Sequence, residues 1–160
     1  MTYWFGIHDG DPRARALFLR HYSCRHYNDS RRMAGTKGFV RKIMGPGEYM
    51  LLLTVSCDAL FGWLHPLIPT ADGQQGVRCS VFRNEGEILS SQLIEEACQL
   101  AWQRWPGERL YTYVDPKKIR STNPGYCFLM AGWHRAGVTK VNRLLILERT
   151  TPPDTRTARR

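Results

Sequence analysis

Polar and ionisable side chains are concentrated between residues 115 and 126, directly after an apolar stretch. Asp115 stands at the end of that stretch, where a carboxylate can act as a general base or orient one. Groups able to hydrogen-bond a reacting atom follow at Ser121, Asn123 and Tyr126. Cations able to bind a phosphate backbone lie among them at Lys117, Lys118 and Arg120. Asp-Pro and Asn-Pro pairs also form plain turns, but so many reactive groups in one loop favour a functional site.

A second candidate site is the glycine turn between a predicted strand at 77–83 and a predicted helix that begins at Ser90. A strand that enters a helix through glycine leaves free backbone amides at the helix start, and the helix dipole favours an anion there. Gly86 supplies the turn and Arg83 adds positive charge. Ser90 or Ser91 caps the helix or binds a phosphate. The alternative is an ordinary helix N-terminus.

Positive charge is concentrated near the beginning of the chain. Residues 13–42 contain nine basic side chains and one acidic side chain. This segment therefore carries most of the net charge of +9 on the whole chain. Aromatic residues are interleaved with these cations at Phe18, Tyr22, Tyr27 and Phe39. Cations neutralise phosphates and rings stack on bases, so the pattern favours a polyanionic partner over an unused basic face. The predicted nucleic-acid-binding residues here are Arg20, Arg25, Arg31, Arg32 and Lys37.

The five cysteines form no Cys-x-x-Cys pair, and their odd number predicts reduced thiols that mostly fill the core. His21, Cys24 and His26 form a local cluster without a clear fourth ligand, so we predict no metal site. No apolar run approaches the length of a membrane span, and the first residues do not resemble a secretory signal. These observations predict a cytosolic protein without a membrane partner.

The elements that must position these residues follow from hydrophobic periodicity and turn residues. The longest predicted helix, at 90–105, places Leu93, Ala97, Ala101 and Trp105 in one buried row. Strands are predicted at 3–7, 49–55, 59–64, 77–83, 110–114 and 144–148, shorter helices at 13–20 and 125–131, and a basic loop at about 21–47. A disordered tail is predicted at 150–160. The order predicts a single α/β domain at 1–149, with a mixed sheet and helices on its faces.

Two stretches carry a resemblance to a known family. The strand, glycine turn and helix from Val81 to Leu93, with Arg83-x-x-Gly86 and the later Gly132-Trp133, resemble the GNAT acyltransferase superfamily. The stretches Val81-Phe82-Arg83-Asn84-Glu85-Gly86, Tyr113-Val114-Asp115-Pro116 and Asn123-Pro124-Gly125-Tyr126-Cys127-Phe128 resemble its phage-encoded Mom-like branch, which modifies bases in viral DNA. His21-Tyr22-Ser23 is similar to that branch as well.

The resemblance implies a GNAT-like, mainly antiparallel α+β fold and acetyl-CoA as the acyl donor. Cofactor binding would involve Phe82, Arg83, Asn84, Gly86, Ser90, Ser91 and Asn123. Phe128 stands where many GNAT enzymes have a tyrosine acid, so Tyr126 or Ser121 would take that role and Asp115 would be the base or its orienter. The implied activity is N-acetylation of an amine on a hypermodified base, such as 5-aminomethyl-deoxyuridine, in double-stranded phage DNA. Such thymidine hypermodification protects viral DNA from host restriction.

Three alternatives remain at this point. The first is a Mom-type enzyme that modifies adenine with another donor. The second is a DNA-binding module without catalytic activity. The third is an acetyltransferase that acts on tRNA or on a basic protein.

Overall fold

The structure is a computed structural model that describes residues 2–20, 42–119 and 122–151. Most of the predicted basic loop, the candidate residues Arg120 and Ser121, and residues 152–160 of the predicted tail lie outside these ranges. Among the described residues, no helix combines the length and the apolar character needed to cross a membrane.

The described residues form one seven-stranded sheet in the order β1-β2-β3-β4-β5-β7-β6. Only β4 and β5 pair in parallel, and every other neighbouring pair is antiparallel. The strands are β1 Trp4–Ile7, β2 Gly47–Thr54, β3 Ala59–Pro66, β4 Val77–Asn84, β5 Leu110–Val114, β6 His134–Val138 and β7 Leu145–Arg149. The predicted mixed, mainly antiparallel sheet is confirmed.

Helix α1, Pro12–Arg20, covers one face of the sheet. The Asp11 carboxylate accepts the Arg13 amide at 2.9 Å and so caps the helix, and proline occupies its first position. Ala14 and Leu17 are buried in a cluster with leucines of β2 and β3. Helix α1 also contacts β4, so the end of α1 lies beside that strand.

Helices α2, Ser90–Arg104, and α3, Tyr126–Met130, cover the opposite face. The predicted row on α2 is buried, because Leu93, Ala97 and Ala101 are each at most 1% exposed. The indole N–H of Trp63 donates to the carbonyl of Ala97 at 2.9 Å, which fixes α2 on β3. The two faces therefore bury separate hydrophobic clusters.

One predicted helix boundary is wrong, and one strand was missed. The short helix does not begin at 125, because Gly125 has a φ of +80° and a Cβ there would lie 2.6 Å from the Leu147 side chain. Strand β6 was not predicted, since all five of its residues are exposed and show no alternation of apolar and polar side chains. It pairs only with β7 in the described sheet and forms its edge.

Strand β4 changes direction halfway along its length. Trp63 pairs with Cys79 and Gly62 pairs with Val81, so Ser80 is an extra residue in a β-bulge. The parallel ladder joins Val77–Cys79 to residues 110–112 of β5 and ends at the bulge. Beyond it, the two strands part, and the backbone of β4 on the β5 side has no strand partner among the described residues.

Candidate functional site

The strand directions bring four loops to the same end of the strands. We call this end of the sheet the carboxyl edge, because β4 and β5 both end there. The loop after β4 contains the glycine turn, and the loop after β5 contains Asp115. The pairing of Ala59 with Asn84 adds the β2–β3 turn, and the pairing of Val114 with Leu145 adds the β6–β7 turn. The two sites that the sequence predicted therefore share one edge. In open sheets, the carboxyl ends of parallel strands are the usual place for a ligand.

Asn84 organises the glycine turn through its side-chain amide. Its nitrogen donates to the carbonyl of Ile88 at 2.7 Å and to the hydroxyl of Ser90 at 3.0 Å. Its oxygen accepts the amide of Gly86 at 3.0 Å. The sequence predicted Asn84 as a cofactor ligand. In the structure, the nitrogen and the oxygen of its side-chain amide both make hydrogen bonds within the loop.

Glu85 binds two arginines at the carboxyl edge. Arg20 donates to both carboxylate oxygens, at 2.7 and 2.9 Å, and Arg83 donates to one of them at 2.6 Å. Arg83 also donates to the backbone carbonyl of Arg20 at 3.0 Å. The hydrogen bonds from Arg20 and Arg83 lower the pKa of Glu85 to about 2. This triad ties the end of α1 to the glycine turn.

Gly86 is a glycine because of a close approach, not because of a left-handed backbone. A Cβ at this position would lie 2.3 Å from a carboxylate oxygen of Asp58. The hydroxyl of Thr54 donates to Asp58 at 2.8 Å, and the carbonyl of Asp58 accepts the amide of Glu85 at 2.7 Å. Asp58 therefore fixes the turn to the neighbouring β2–β3 loop.

The start of α2 leaves backbone donors unused. The N-cap residue is Leu89, which makes no side-chain capping hydrogen bond, so the prediction that Ser90 or Ser91 caps the helix is wrong. Within the described part of the chain, the amides from Glu87 to Ser91 donate no hydrogen bond. The Glu87 side chain is exposed and makes no ion pair there. These amides can donate to an anion.

Asp115 closes its own turn. Its carboxylate accepts the amide of Lys117 at 3.0 Å and lies 3.4 Å from the ammonium of Lys118. Its carbonyl accepts the amide of Lys118 at 3.2 Å. The carboxylate is mostly buried, with 15% of the side chain exposed. The contacts orient the carboxylate and leave Lys117 exposed at the carboxyl edge.

Helix α3 lies over the point where β4 and β5 part. Phe128 packs edge-on against Phe82 of β4, with ring centroids 6.0 Å apart. Gly125 lies against Val114 of β5. Tyr126, the first residue of α3, is 55% exposed, and its hydroxyl makes no hydrogen bond with the described residues. It is the candidate proton donor that the structure leaves available at this edge.

The remaining predicted ligands have other environments. Asn123 accepts a hydrogen bond from Arg135 of β6 at 3.0 Å. Phe82 packs in the core beside α3 and offers only an apolar surface. Ser91 follows Ser90 in the first turn of α2. Ser121 and the cations Arg25, Arg31, Arg32, Lys37 and Arg120 lie outside the described residues, as does the cluster of His21, Cys24 and His26.

Three other reactive groups in the described chain, Tyr113, Cys79 and Cys98, are removed from this chemistry. The hydroxyl of Tyr113 donates to Asp72 at 2.7 Å, and burial raises the pKa of that phenol. Burial also raises the pKa of the Cys79 thiol and takes that of Cys98 to about 11. Both thiols are free and buried, in agreement with the predicted core role.

Sequence reasoning missed the importance of Glu85 and Asp58. The order Asn-x-Gly at 84–86 is a turn signal that predicts the side-chain hydrogen bond from Asn84. No comparable signal predicts the pair between Arg20 and Glu85, because the residues are 65 positions apart in the chain. In comparisons with protein-family models, with curated proteins and with solved structures, nothing matched this chain.

Proposed function

We propose that the protein is a GNAT-type N-acetyltransferase that transfers an acetyl group from acetyl-CoA to an amine on a hypermodified base in double-stranded DNA. The favoured amine is the aminomethyl group of 5-aminomethyl-deoxyuridine in phage DNA, where the modification would protect against restriction. The observation that carries this proposal is the shared carboxyl edge of the diverging strands β4 and β5. It joins a glycine turn rich in free amides to the Asp115 loop and Tyr126.

The residues at the carboxyl edge fit an acyl-CoA. The free amides from Glu87 to Ser91 suit a pyrophosphate, and Arg83 lies beside them. The unpaired backbone of β4 beyond Cys79 suits an extended arm that carries amide groups, since such an arm can complete the missing hydrogen bonds. When bound, acetyl-CoA supplies an acyl group activated as a thioester.

The chain's own groups divide the proton transfers between them. An aminomethyl group is a competent nucleophile once it has lost its proton, so the site needs a base and correct positioning. Asp115, fixed by Lys117 and Lys118, orients the acceptor or takes that proton. The side chain of Tyr126 is exposed, and its phenol can donate a proton to the thiolate that leaves. Backbone amides of β4 after Val81 can polarise the thioester carbonyl.

The charge distribution supports nucleic acid as the second substrate. The basic segment at 13–42 begins within α1, whose last residue, Arg20, is tied to the glycine turn through Glu85. Lys117 and Lys118 add two cations at the same edge. A substituent at the 5-position of a pyrimidine projects into the major groove, so it can be reached without base flipping.

Nucleoside mass spectrometry tests this function. DNA that contains 5-aminomethyl-deoxyuridine is incubated with the full chain and acetyl-CoA, digested and analysed. We expect an acetylated pyrimidine nucleoside, and the Tyr126→Phe variant should reduce its rate of formation by about 100-fold or more. Tyr113→Phe is the matched control, because that hydroxyl is bound to Asp72 and should be dispensable. An altered adenine would instead support the Mom-type alternative.

A second candidate function is DNA binding without catalysis. It is favoured by one observation: Arg83 and Asp115 already have partners inside the protein, as expected of groups with only a structural role. The same assay separates the two functions. Unchanged DNA modification in both Asp115→Ala and Tyr126→Phe would contradict the proposed site, and absence of any modified nucleoside, with DNA binding intact, would favour the binding module.

A further inference from the structure

The turn between β6 and β7 has a fixed shape. The amide of Thr139 donates to the carbonyl of Leu144 at 2.8 Å, and the amide of Leu144 donates to the hydroxyl of Thr139 at 2.9 Å. These two bonds close a four-residue tip, Lys140-Val141-Asn142-Arg143, in which Arg143 has a φ of +55°. The tip is therefore a defined projection from the edge of the sheet.

The side chains of this tip do not stabilise the fold through contacts with other described residues. All four are exposed, and within the described part of the chain they make no ion pair or side-chain hydrogen bond. Val141 is 88% exposed, the highest fraction among the exposed large hydrophobic residues. A single exposed apolar side chain is common in soluble proteins, so the case for a contact surface rests on the position of Val141 between the cations Lys140 and Arg143 on a tip of fixed shape.

The charge of the surrounding sequence identifies the sign of the partner. Between Asp115 and Glu148 the chain contains six Lys or Arg residues and no Asp or Glu. Glu148 itself is bound to Arg109 and His134 and does not neutralise the tip. The partner of this surface must therefore carry negative charge.

The tip lies next to the proposed site. Val114 pairs with Leu145, and Leu145 pairs with Val138, so the β6–β7 turn is adjacent to the Asp115 turn at the carboxyl edge. Lys117 and Lys118 on one turn and Lys140 and Arg143 on the next form a basic strip. A polyanion that crosses this strip also passes the carboxylate of Asp115.

We propose that this tip enters the major groove of double-stranded DNA, with Lys140 and Arg143 on phosphates and Val141 against the 5-methyl groups of thymines. The major groove of B-form DNA is wide enough for a two-stranded β-ribbon, whereas that of A-form RNA is deep and narrow. Apolar side chains commonly contact the thymine methyl. The inference rests on the proposed function for its DNA substrate, and it adds the element that reads the groove beside the reacting base.

Fluorescence anisotropy on the full chain tests the charged part of the proposal, with a duplex of about 20 base pairs. We expect the double variant Lys140→Gln/Arg143→Gln to weaken binding by about tenfold. The slope of log Kd against log salt should fall by roughly two, because about 0.9 counterions are released per contacted phosphate. Arg104→Gln, at the opposite edge of the sheet and bound to Tyr49, is the control and should change neither value.

Binding to a duplex with uracil in place of thymine tests the contact of Val141 with the thymine methyl group, because uracil lacks that group. The wild type should prefer the thymine duplex by about three- to fourfold, the value of one buried methyl group, and Val141→Ser should lose that preference. Ile68→Ser is the control, since Ile68 is 65% exposed but follows β3 at the end of the strands opposite the carboxyl edge. An unchanged salt slope in the double variant, or equal binding of an RNA duplex, would overturn the proposal.

The outcomes also separate this inference from the proposed function. Acetylation of DNA by the wild type, with tip variants that bind DNA normally, would contradict the groove contact alone. Loss of DNA binding in the tip variants, with no acetylated nucleoside formed by the wild type, would contradict the transferase alone. Acetylation of free 5-aminomethyl-deoxyuridine should be unaffected by the tip variants, because that substrate has no groove.

Discussion

At the level of single residues, Glu85 partly neutralises the positive charge at the glycine turn. It accepts hydrogen bonds from Arg20 and Arg83, so an incoming pyrophosphate must compete with it for both guanidinium groups. The same contacts join the end of α1 to the turn. Glu85 therefore links the end of α1 to the proposed cofactor site.

Replacing this carboxylate should change stability in a pH-dependent manner. The pKa of Glu85 is held at about 2, below the ordinary value of a glutamate in the unfolded chain. The ion pairs therefore stabilise the folded state above that ordinary value, and their contribution is lost as the pH falls toward 2. We expect Glu85→Gln to lower the thermal midpoint at neutral pH by about 1 to 4 °C, and calorimetry at a series of pH values should show the difference vanish in acid.

The control for this experiment is Glu87→Gln. Glu87 is two residues away, exposed and without an ion pair in the described chain, so its substitution should leave the midpoint unchanged at every pH. A difference between wild type and Glu85→Gln that persists unchanged down to pH about 2 would show that the ion pairs are not its cause.

Single residues also show the limit of prediction from sequence. The types and positions of Asp115, Tyr126 and the glycine turn were visible in the sequence, because turn residues and reactive groups are local signals. Their partners were not. The contact of Gly86 with Asp58 depends on the register of β3 against β4, which no local pattern encodes.

At the level of elements, the bulge in β4 creates the space for the proposed site. Because Ser80 is an extra residue, Cys79 and Phe82 both face α2, while Val81 faces α1. The bulge increases the local twist and turns the end of β4 away from β5. The alternation of apolar residues predicted the strand correctly, but an inserted residue of this kind leaves no distinct sequence signal.

Deleting Ser80 should abolish this arrangement. Without the extra residue, Cys79 and Val81 would be adjacent and would pair with Trp63 and Gly62 in a regular ladder, so Val81 and Phe82 would keep their faces and the added twist would be lost. We expect the variant to unfold at a lower temperature, as measured by circular dichroism, because the straightened strand would no longer carry Phe82 to α3 and the glycine turn to Asp58. Ser80→Ala keeps the bulge and removes only contacts of 3.5 Å or longer, to Gly62 and Met44, so it should unfold almost as the wild type does. Equal melting of both variants would exclude a structural role for the bulge.

The elements that sequence analysis located and those that it missed differ in burial. Helix α2 and strands β2 to β5 bury one or both faces, so their periodicity or apolar runs appear in the sequence. Strand β6 is exposed along its whole length and is held by pairing with β7. Backbone pairing of this kind has no signature in residue type, and the hairpin tip proposed to bind DNA was missed for that reason.

At the level of the whole molecule, positive charge is distributed unevenly. The described residues contain 14 Lys or Arg and 12 Asp or Glu, so they contribute +2 of the net charge of +9. Most of the excess belongs to residues 21–41, to Arg120 and to residues 152–160. If this charge binds DNA, affinity must fall steeply with salt, because several phosphates are neutralised together.

The salt dependence of the full chain can be apportioned between these segments. Replacing Arg25, Arg31, Arg32 and Lys37 with glutamine removes four cations, and the slope of log Kd against log salt should fall by about three to four if each contacts a phosphate. The control replaces Arg156, Arg159 and Arg160, which should have a smaller effect because they lie in the predicted disordered tail. A slope that the first variant leaves unchanged would mean that the basic segment does not hold DNA. The cations that hold DNA near Asp115 would then have to be those of the carboxyl edge itself.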